Sequence, residues 1–415
     1  MKKDSVTNTH VESTLNRSGY DQADDAIKEV KQDNKLLTLL DVSVVSTSEE
    51  FKSLKQSWNK LNNKSHNGTI FISWEWLYTW WEIYKNDGDR KLYILCCHDH
   101  KHELIGIAPF QQIYNPKRYF PSNQQILFIG TGETDGSQVF GEYMDLLIKP
   151  GHESSVINVF SEFLYKRKST WDGLKFQQLL NNSHLSKLFK NQPNKIISKV
   201  TPYGVRTIIE LPETYSKYLM SLRKKMRNNI TRTFSRLESE QKFTFEHITK
   251  SKDIERSIAT LAELNRGRRG DLNQSSVFQY KNFENFHKLL SKRLLPLNSV
   301  RLCILRFDNL PVAALYSFLD GNTLHVYQSG FVKEHGHRYS LLTTMLTQEI
   351  SSSIDDEAID YFNFMFSESE DTYKHRYSSE TDPMYNLSFD KKGMKHSLYV
   401  LLHKKLKNSL KKLIK

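Results

Sequence analysis

A tyrosine and a lysine stand side by side at 373 and 374, inside TYKHRY. A phenol can hand a proton to a leaving group, and an ammonium can stabilise an oxyanion or hold a phosphate, so Tyr373 and Lys374 form the candidate catalytic pair. Packing of the ring and an ordinary surface ion pair would account for the same two residues without chemistry. In EYMDLL, Tyr143 and Asp145 are two apart; on a strand they share a face and can line an acceptor cleft, although an Asp solvated at a strand edge reads the same way. SWEWLYTWW crowds Trp74, Trp76, Trp80 and Trp81 together. Aromatic faces suit pyranose rings, yet the spacing is helical and argues for core packing, which leaves Trp74 and Trp76 as the two expected to reach a cleft. Cys96, His98, His100 and His102 alternate and are metal-ligand types. That stretch spans a hairpin turn, which breaks the alternation, so no metal is expected. GTGETDG at 130–136 is followed by a strand pattern rather than a helix, and fits neither a dinucleotide fingerprint nor a Walker loop.

Side chains of this kind need a scaffold, and 415 residues with 38% hydrophobic and 26% charged content suffice for two or three domains with their own cores. The first residues are basic without an apolar segment behind them, and no run of about 18 apolar residues follows. Three cysteines, two of them adjacent at 96 and 97, do not make a disulfide framework. These features lead to an expectation of a cytoplasmic protein. The formal net charge of +12 implies contact with phosphates, nucleic acid or an anionic membrane. Its excess lies mainly in SLRKKMRNNITRTFSR at 221–236 and in the tail 391–415, which carries no acid and sets Leu398, Leu402, Leu406, Leu410 and Leu413 along one helical face. Neither stretch bears a nucleic-acid-binding signature.

Residues 1–35 are polar and read as a disordered tail. A strand signal at LLTLLDVSVVS is followed by a helical pattern through Phe51, Leu54, Trp58 and Leu61, and then by a helix capped by Ser73. KLYILCCHDHKHELIGIAPFQQI at 91–113 reads as two strands around a polar turn, and RLCILRFDNLPVAALYSF at 301–318 repeats it, with Asp308, Asn309 and Pro311 supplying the turn. Each hairpin leads into strand, helix and strand signals. In the first half these are FGEYMDLLI, a helix at 152–167 and WDGLKFQQL; in the second they are NTLHVYQSGF, a helix at about 340–353 and DYFNFMF. One α/β unit thus occurs twice, at 36–212 and 213–390. The second copy is entered by a basic helix at 215–238.

In order and spacing, FISWEWLYTWW, LIGIAPF, EYMDLL, the basic helix ending in SRLE, PVAALYSF, VYQSGF followed by HRYS, and FNF with TYKHRY cover about 71 to 377. Together they resemble the acetyltransferase-like family associated with bacterial cellulose and exopolysaccharide biosynthesis, the CelD type, a relative of the Fem-type peptidoglycan aminoacyltransferases. The resemblance implies an α/β layered fold of tandem GNAT-like modules, each a mixed, mostly antiparallel sheet flanked by helices. It implies an acyl-coenzyme A site in the second copy, where a central strand splays from its neighbour and the next helix points its N-terminus at the pyrophosphate. Those elements fall on Gln328, Ser329, Gly330 and Phe331 and on Arg338, Tyr339 and Ser340, with His337 adding charge. Free amides and the dipole of such a helix end do bind phosphate. The chain departs from the family pattern at Ser340-Leu341-Leu342, where Ser-Pro-Gly is common, and at Asn363, where Asp is usual. Asp135 and Tyr377 join Trp74, Trp76, Tyr143 and Asp145 as expected substrate contacts.

The activity so implied is N-acyl transfer, with acetyl-CoA as donor and no metal, to an amino group of a saccharide or envelope or exopolysaccharide precursor. Two alternatives stand beside it: a Fem-type enzyme using aminoacyl-tRNA, held by the basic helix and the lysine tail, and a catalytically inactive accessory protein of polysaccharide assembly. The expected partners are a small-molecule or glycan acceptor and, through 391–415, an anionic membrane surface. Nucleic acid is not expected, apart from tRNA in the first alternative.

Overall fold

A computed structural model describes residues 40–114, 124–192, 196–336, 338–369, 372–378 and 380–391. The tail at 1–35, His337 and the amphipathic stretch beyond 391 lie outside the described residues. In chain order the strands are β1 (Asp41–Val45), β2 (Asp89–Leu92), β3 (Ile94–His98), β4 (Leu104–Ala108), β5 (Phe110–Tyr114), β6 (Gln124–Phe128), β7 (Leu147–Ile148), β8 (Gly173–Leu179), β9 (Ile196–Glu210), β10 (Phe243–His247), β11 (Val300–Phe307), β12 (Leu310–Asp320), β13 (Thr323–Phe331), β14 (Tyr361–Ser367) and β15 (Thr381–Lys391). They form a four-stranded sheet, β1-β3-β4-β7, and an eleven-stranded sheet, β10-β11-β12-β13-β14-β9-β15-β8-β6-β5-β2. All described pairs are antiparallel except β6 with β8 and β13 with β14.

Those two parallel pairs mark the repeated unit. In the first half β5 and β6 are antiparallel and the helix Glu153–Lys166 carries the chain to the parallel β8; in the second, β12 and β13 are antiparallel and the helix Leu341–Ile354 leads to the parallel β14. A parallel neighbour needs such a crossover, which explains the shared order. The equivalent of β13 is therefore Gln124–Phe128, not FGEYMDLLI as the pattern suggested. Of residues 129–148 only Leu147 and Ile148 are strand, paired with β4. Tyr143, at φ 60°, sits in the left-handed region, where alternation of side chains is lost.

The boundary at 212 does not separate two sheets. β9 precedes it yet pairs with β14 and β15, and β15 pairs in turn with β8 of the first half. The helix Trp74–Tyr84, started by Ser73 Oγ accepting from the Trp76 N–H at 3.3 Å, is apolar almost all round and is buried accordingly. Its Trp76 packs edge-on against Phe286 and Phe318, with ring centres 5.5 and 5.1 Å away, so one core runs through both halves. A second core lies where the helices Lys224–Glu240 and Leu341–Ile354 cover β11, β12 and β14 through Ile230, Leu237, Leu346, Leu305, Leu315 and Phe364. The expected single basic helix is two, Tyr215–Ser221 and Lys224–Glu240, because Leu222 is extended and interrupts the hydrogen bonding. The β11–β12 turn places Asp308 and Asn309 at positive φ, which these residue types tolerate best after glycine. Among the described residues no helix is long and apolar enough to cross a membrane.

Candidate functional site

β13 and β14 pair at only three positions, Thr323–Tyr361, Leu324–Phe362 and His325–Asn363. Beyond them β13 stays with β12 as far as Phe331, while β14 follows β9 through Phe366–Arg206 and Ser367–Val205. The strands therefore fork. A bulge in β14 produces the fork: Met365 takes φ 59°, and its N–H donates to Asn363 Oδ1 at 2.7 Å instead of joining a ladder. Among the described residues no ladder links Val326–Phe331 to Phe364–Ser367.

Polar side chains from both halves of the chain collect at the fork. The Asn363 amide donates to His325 Nδ1 at 3.2 Å and to the Tyr143 hydroxyl at 3.4 Å. Burial drives His325 down to about 3, so its imidazole is neutral, and Nδ1 is its acceptor nitrogen. Glu142, 3% exposed, accepts from the Phe366 N–H at 3.0 Å, and burial pushes its carboxyl up. Lys374 donates to the carbonyls of Phe364, Met365 and Phe366 at 2.5, 3.2 and 2.5 Å. Burial lowers its ammonium to about 8, against the opposing attraction of Glu142. The Arg206 guanidinium lies 5.0 Å from the centre of the Tyr143 ring and donates to Asp382 at 2.7 Å. Asp320, on β12 and 3.9 Å from His325 Nε2, is raised by burial to about 6.

The helix Leu341–Ile354 begins after Ser340, which is left-handed at φ 44°, ψ 50° and makes no side-chain cap. The amides of its first turn are thus without a side-chain partner, as anion binding requires. Tyr377, buried against Phe364, hydrogen-bonds to Thr343 in that turn.

Lys374, Tyr143 and Tyr377 are therefore near one another, and Tyr373 begins the short turn Tyr373–Arg376 with 41% of its surface exposed. Gln328 and Ser329 lie on the stretch of β13 that pairs with β12 but not with β14, and the Ser329 carbonyl accepts from the Asn265 amide at 2.7 Å. Several other expected site residues have structural tasks instead. Arg338 donates to Glu240 at 2.7 Å, and the Tyr339 hydroxyl bonds to Glu240 and Gln241 at 2.9 and 2.7 Å, which ties this segment to the end of the basic helix. Gly330 is small because the helix Ser251–Gly270 lies on it: a Cβ there would stand 2.4 Å from the Asn265 nitrogen. Phe331 carries Arg268 at 4.9 Å over its ring.

Trp74 and Trp76 are core residues and do not reach a cleft. Trp74 stacks on Tyr78 at 4.4 Å and donates to the Phe51 carbonyl, while Trp76 is fully buried. Asp145 does not share a face with Tyr143, since no strand exists there; its buried carboxylate accepts from Asn67, Leu146, His184 and Leu185 and so pins the turn at 183–187. Asp135 accepts from Ser137 and, at 3.4 Å, from Asn282 in an exposed loop.

Glu142, His325 and Arg206 escaped the sequence reading. Alternation would have turned Glu142 away from Tyr143, and only the left-handed Tyr143 makes neighbours in sequence neighbours at the fork. The one legible signal was His325, a titratable residue between the apolar Leu324 and Val326. Elsewhere, donor atoms of His247, Cys303 and Glu349 come within 4.8 Å of one another. Arg301, 3.9 Å from Glu349, works against a cation at that place.

Residues 224–375 match the family model described as an acetyltransferase (GNAT) domain. No relative was found among curated proteins. Among solved structures the chain is similar to FemX, with 11% identity, a TM-score of 0.56 and coverage of 87% of this chain and 99% of that one. It is also similar to a conserved protein of unknown function from Bacteroides thetaiotaomicron VPI-5482, with 12% identity, a TM-score of 0.50 and coverage of 84% and 100%. Most of the chain thus shares a fold with these two structures, and the acetyltransferase (GNAT) match falls within its second half.

Proposed function

We propose that the protein transfers an acyl group from a coenzyme A thioester, acetyl-CoA in the simplest case, to an amino group of a saccharide or envelope polysaccharide precursor. The fork between β13 and β14 carries this reading: beyond His325–Asn363 the two strands are not laddered to each other, side chains such as Lys374, Glu142 and Asn265 hold backbone groups that the amide-rich arm of coenzyme A could take over, and the uncapped helix after Ser340 lies at hand for its pyrophosphate. Residues of this chain supply the rest. Glu142, with its raised proton affinity, takes the proton that the attacking amine must lose. The Phe366 N–H, now held by Glu142, is a donor for the thioester oxygen once Glu142 turns to the amine. Tyr373, exposed at the mouth, can protonate the leaving thiolate, and Lys374 holds the bulged backbone in shape. Much of the acceleration would come from orienting amine and thioester in the fork.

A second reading, aminoacyl transfer of the Fem type, draws support from the similarity to FemX and from the cations of the basic helix. Thermal-shift titration separates the two. Acetyl-CoA should raise the melting temperature and bulk tRNA should not, since a ligand that binds only the native state stabilises it. A response to tRNA alone would favour the second reading, and a response to neither would leave an inactive accessory protein.

A further inference from the structure

We infer that the cleft between the basic helix and the Tyr373–Arg376 turn binds the diphosphate of the acceptor, which makes the acceptor a diphosphate-activated amino sugar rather than a finished polysaccharide. This rests on the acyl-transfer reading above. The cleft has a volume of about 640 Å³, and Arg223, Lys225, Arg232, His375 and Arg376 line it.

Three observations point to an anionic occupant. First, among the described residues Arg223, Lys225, Arg232 and Arg376 form no ion pair, whereas Arg206, Arg301, Arg306 and Arg338 each hold a carboxylate. Uncompensated cations around a concavity repel one another unless an anion enters, and their summed field draws one in. Second, His375 Nε2 is buried and lacks a hydrogen-bond partner, a cost that an oxyanion acceptor would remove. Third, the basic helix starts at Lys224 without a side-chain cap, so its positive end opens beside the same wall.

Size and position narrow the ligand. Small-molecule pockets measure roughly 300 to 1,000 Å³, which suits a diphosphate with part of its attached sugar or nucleoside; a polynucleotide needs an extended track. The proposal above assigns the amides after Ser340 to the pyrophosphate of coenzyme A, and on that assignment this cleft falls to the other substrate. His375 and Arg376 directly follow Lys374, whose ammonium meets the β14 carbonyls. A diphosphate gripped here would place the sugar attached to it within reach of the fork.

Calorimetric titration of the full chain with UDP, inorganic pyrophosphate and acetyl-CoA tests this, with R232E/R376E as the variant and R232K/R376K as its control. UDP and pyrophosphate should compete for one site on the wild type. The glutamate variant should lose at least about tenfold in affinity for both, the control should lose far less, and acetyl-CoA affinity should stay within about twofold in all three proteins. Equal loss of acetyl-CoA affinity would assign the cleft to the donor and overturn the proposal. It would also be overturned by unchanged UDP and pyrophosphate affinity, or by binding of bulk tRNA alone. Absence of acetyl-CoA binding to the wild type would remove the acyl-transfer reading, and with it the acceptor role, even if pyrophosphate bound.

Discussion

Replacing Lys374 with Met should change the pH dependence of folding stability more than its level at any one pH. Burial lowers the Lys374 ammonium from its ordinary 10.5 to about 8. At about 1.4 kcal/mol per pH unit, a gap of about 2.5 means that the folded state carries this charge at a cost of about 3 kcal/mol below pH 8. The folded protein loses the proton first on raising pH. Between about 8 and 10.5 the unfolded chain therefore binds more protons than the folded one, and stability attributable to Lys374 rises through that window. Neutral lysine keeps two N–H donors for the three carbonyls of Phe364, Met365 and Phe366, so deprotonation does not strip the bulge of its partner. Urea denaturation of wild type and K374M at pH 7, 8, 9 and 10 provides the measurement. The wild type should gain on the variant by about 2.5 kcal/mol across the series, with little change between 7 and 8; the subtraction cancels the titrating groups that do not interact with Lys374. Curves that stay parallel, or a wild type that loses ground, would refute the account of a desolvated ammonium at the fork.

Three further outcomes follow from the same geometry. G330A should destabilise the fold by about 1–3 kcal/mol, since the added carbon would meet the backbone of Asn265 and Leu264 rather than a movable side chain, and thermal and urea melts report it. D145A should cost about 3 kcal/mol in a denaturation series while leaving the acceptor KM unchanged, because it strips four donors in a buried turn remote from the chemistry; a raised KM with intact stability would return Asp145 to the cleft. E142Q should retain acetyl-CoA affinity and lower the transfer rate at least about tenfold, and should move the Lys374 titration further below 8, as the one opposing negative charge disappears.

Elements with a strong local period were legible. Ser73 followed by a dense apolar run announced the helix Trp74–Tyr84, and the apolar spacing after Ser340 announced Leu341–Ile354, since both depend on neighbours three or four residues apart. The hairpin at 301–318 was legible from its turn residues, whereas 91–113, read as two strands, is four, with β3 and β4 in one sheet and β2 and β5 in the other. The internal alignment of the repeat was not legible: FGEYMDLLI looks as much like a strand as Gln124–Phe128 does, and the difference lies in which partner edge is free. Of the side chains that the structure brings to the fork, Lys374, Tyr143 and Tyr377 could be singled out from motifs. Arg338, Tyr339 and Gly330 belong to the right segment, but its packing on Glu240, Gln241 and Asn265 takes up their side chains or, for the glycine, the space where one would be.

From the residues alone came the crossover helix of each half, the cationic helical stretch, the buried tryptophan cluster and the start of the helix after Ser340. Each depends on side-chain types at short separations, and short-range sterics and amphipathicity suffice to settle them. Tertiary structure alone decided that β13 and β14 keep company for three residues and then part, that Glu142 comes to Lys374 across more than half the chain, and that β15 joins the two halves in one sheet. These are contacts between segments far apart in sequence. Their free energy depends on the burial and backbone pairing of both partners at once, and no local pattern in either segment encodes the other.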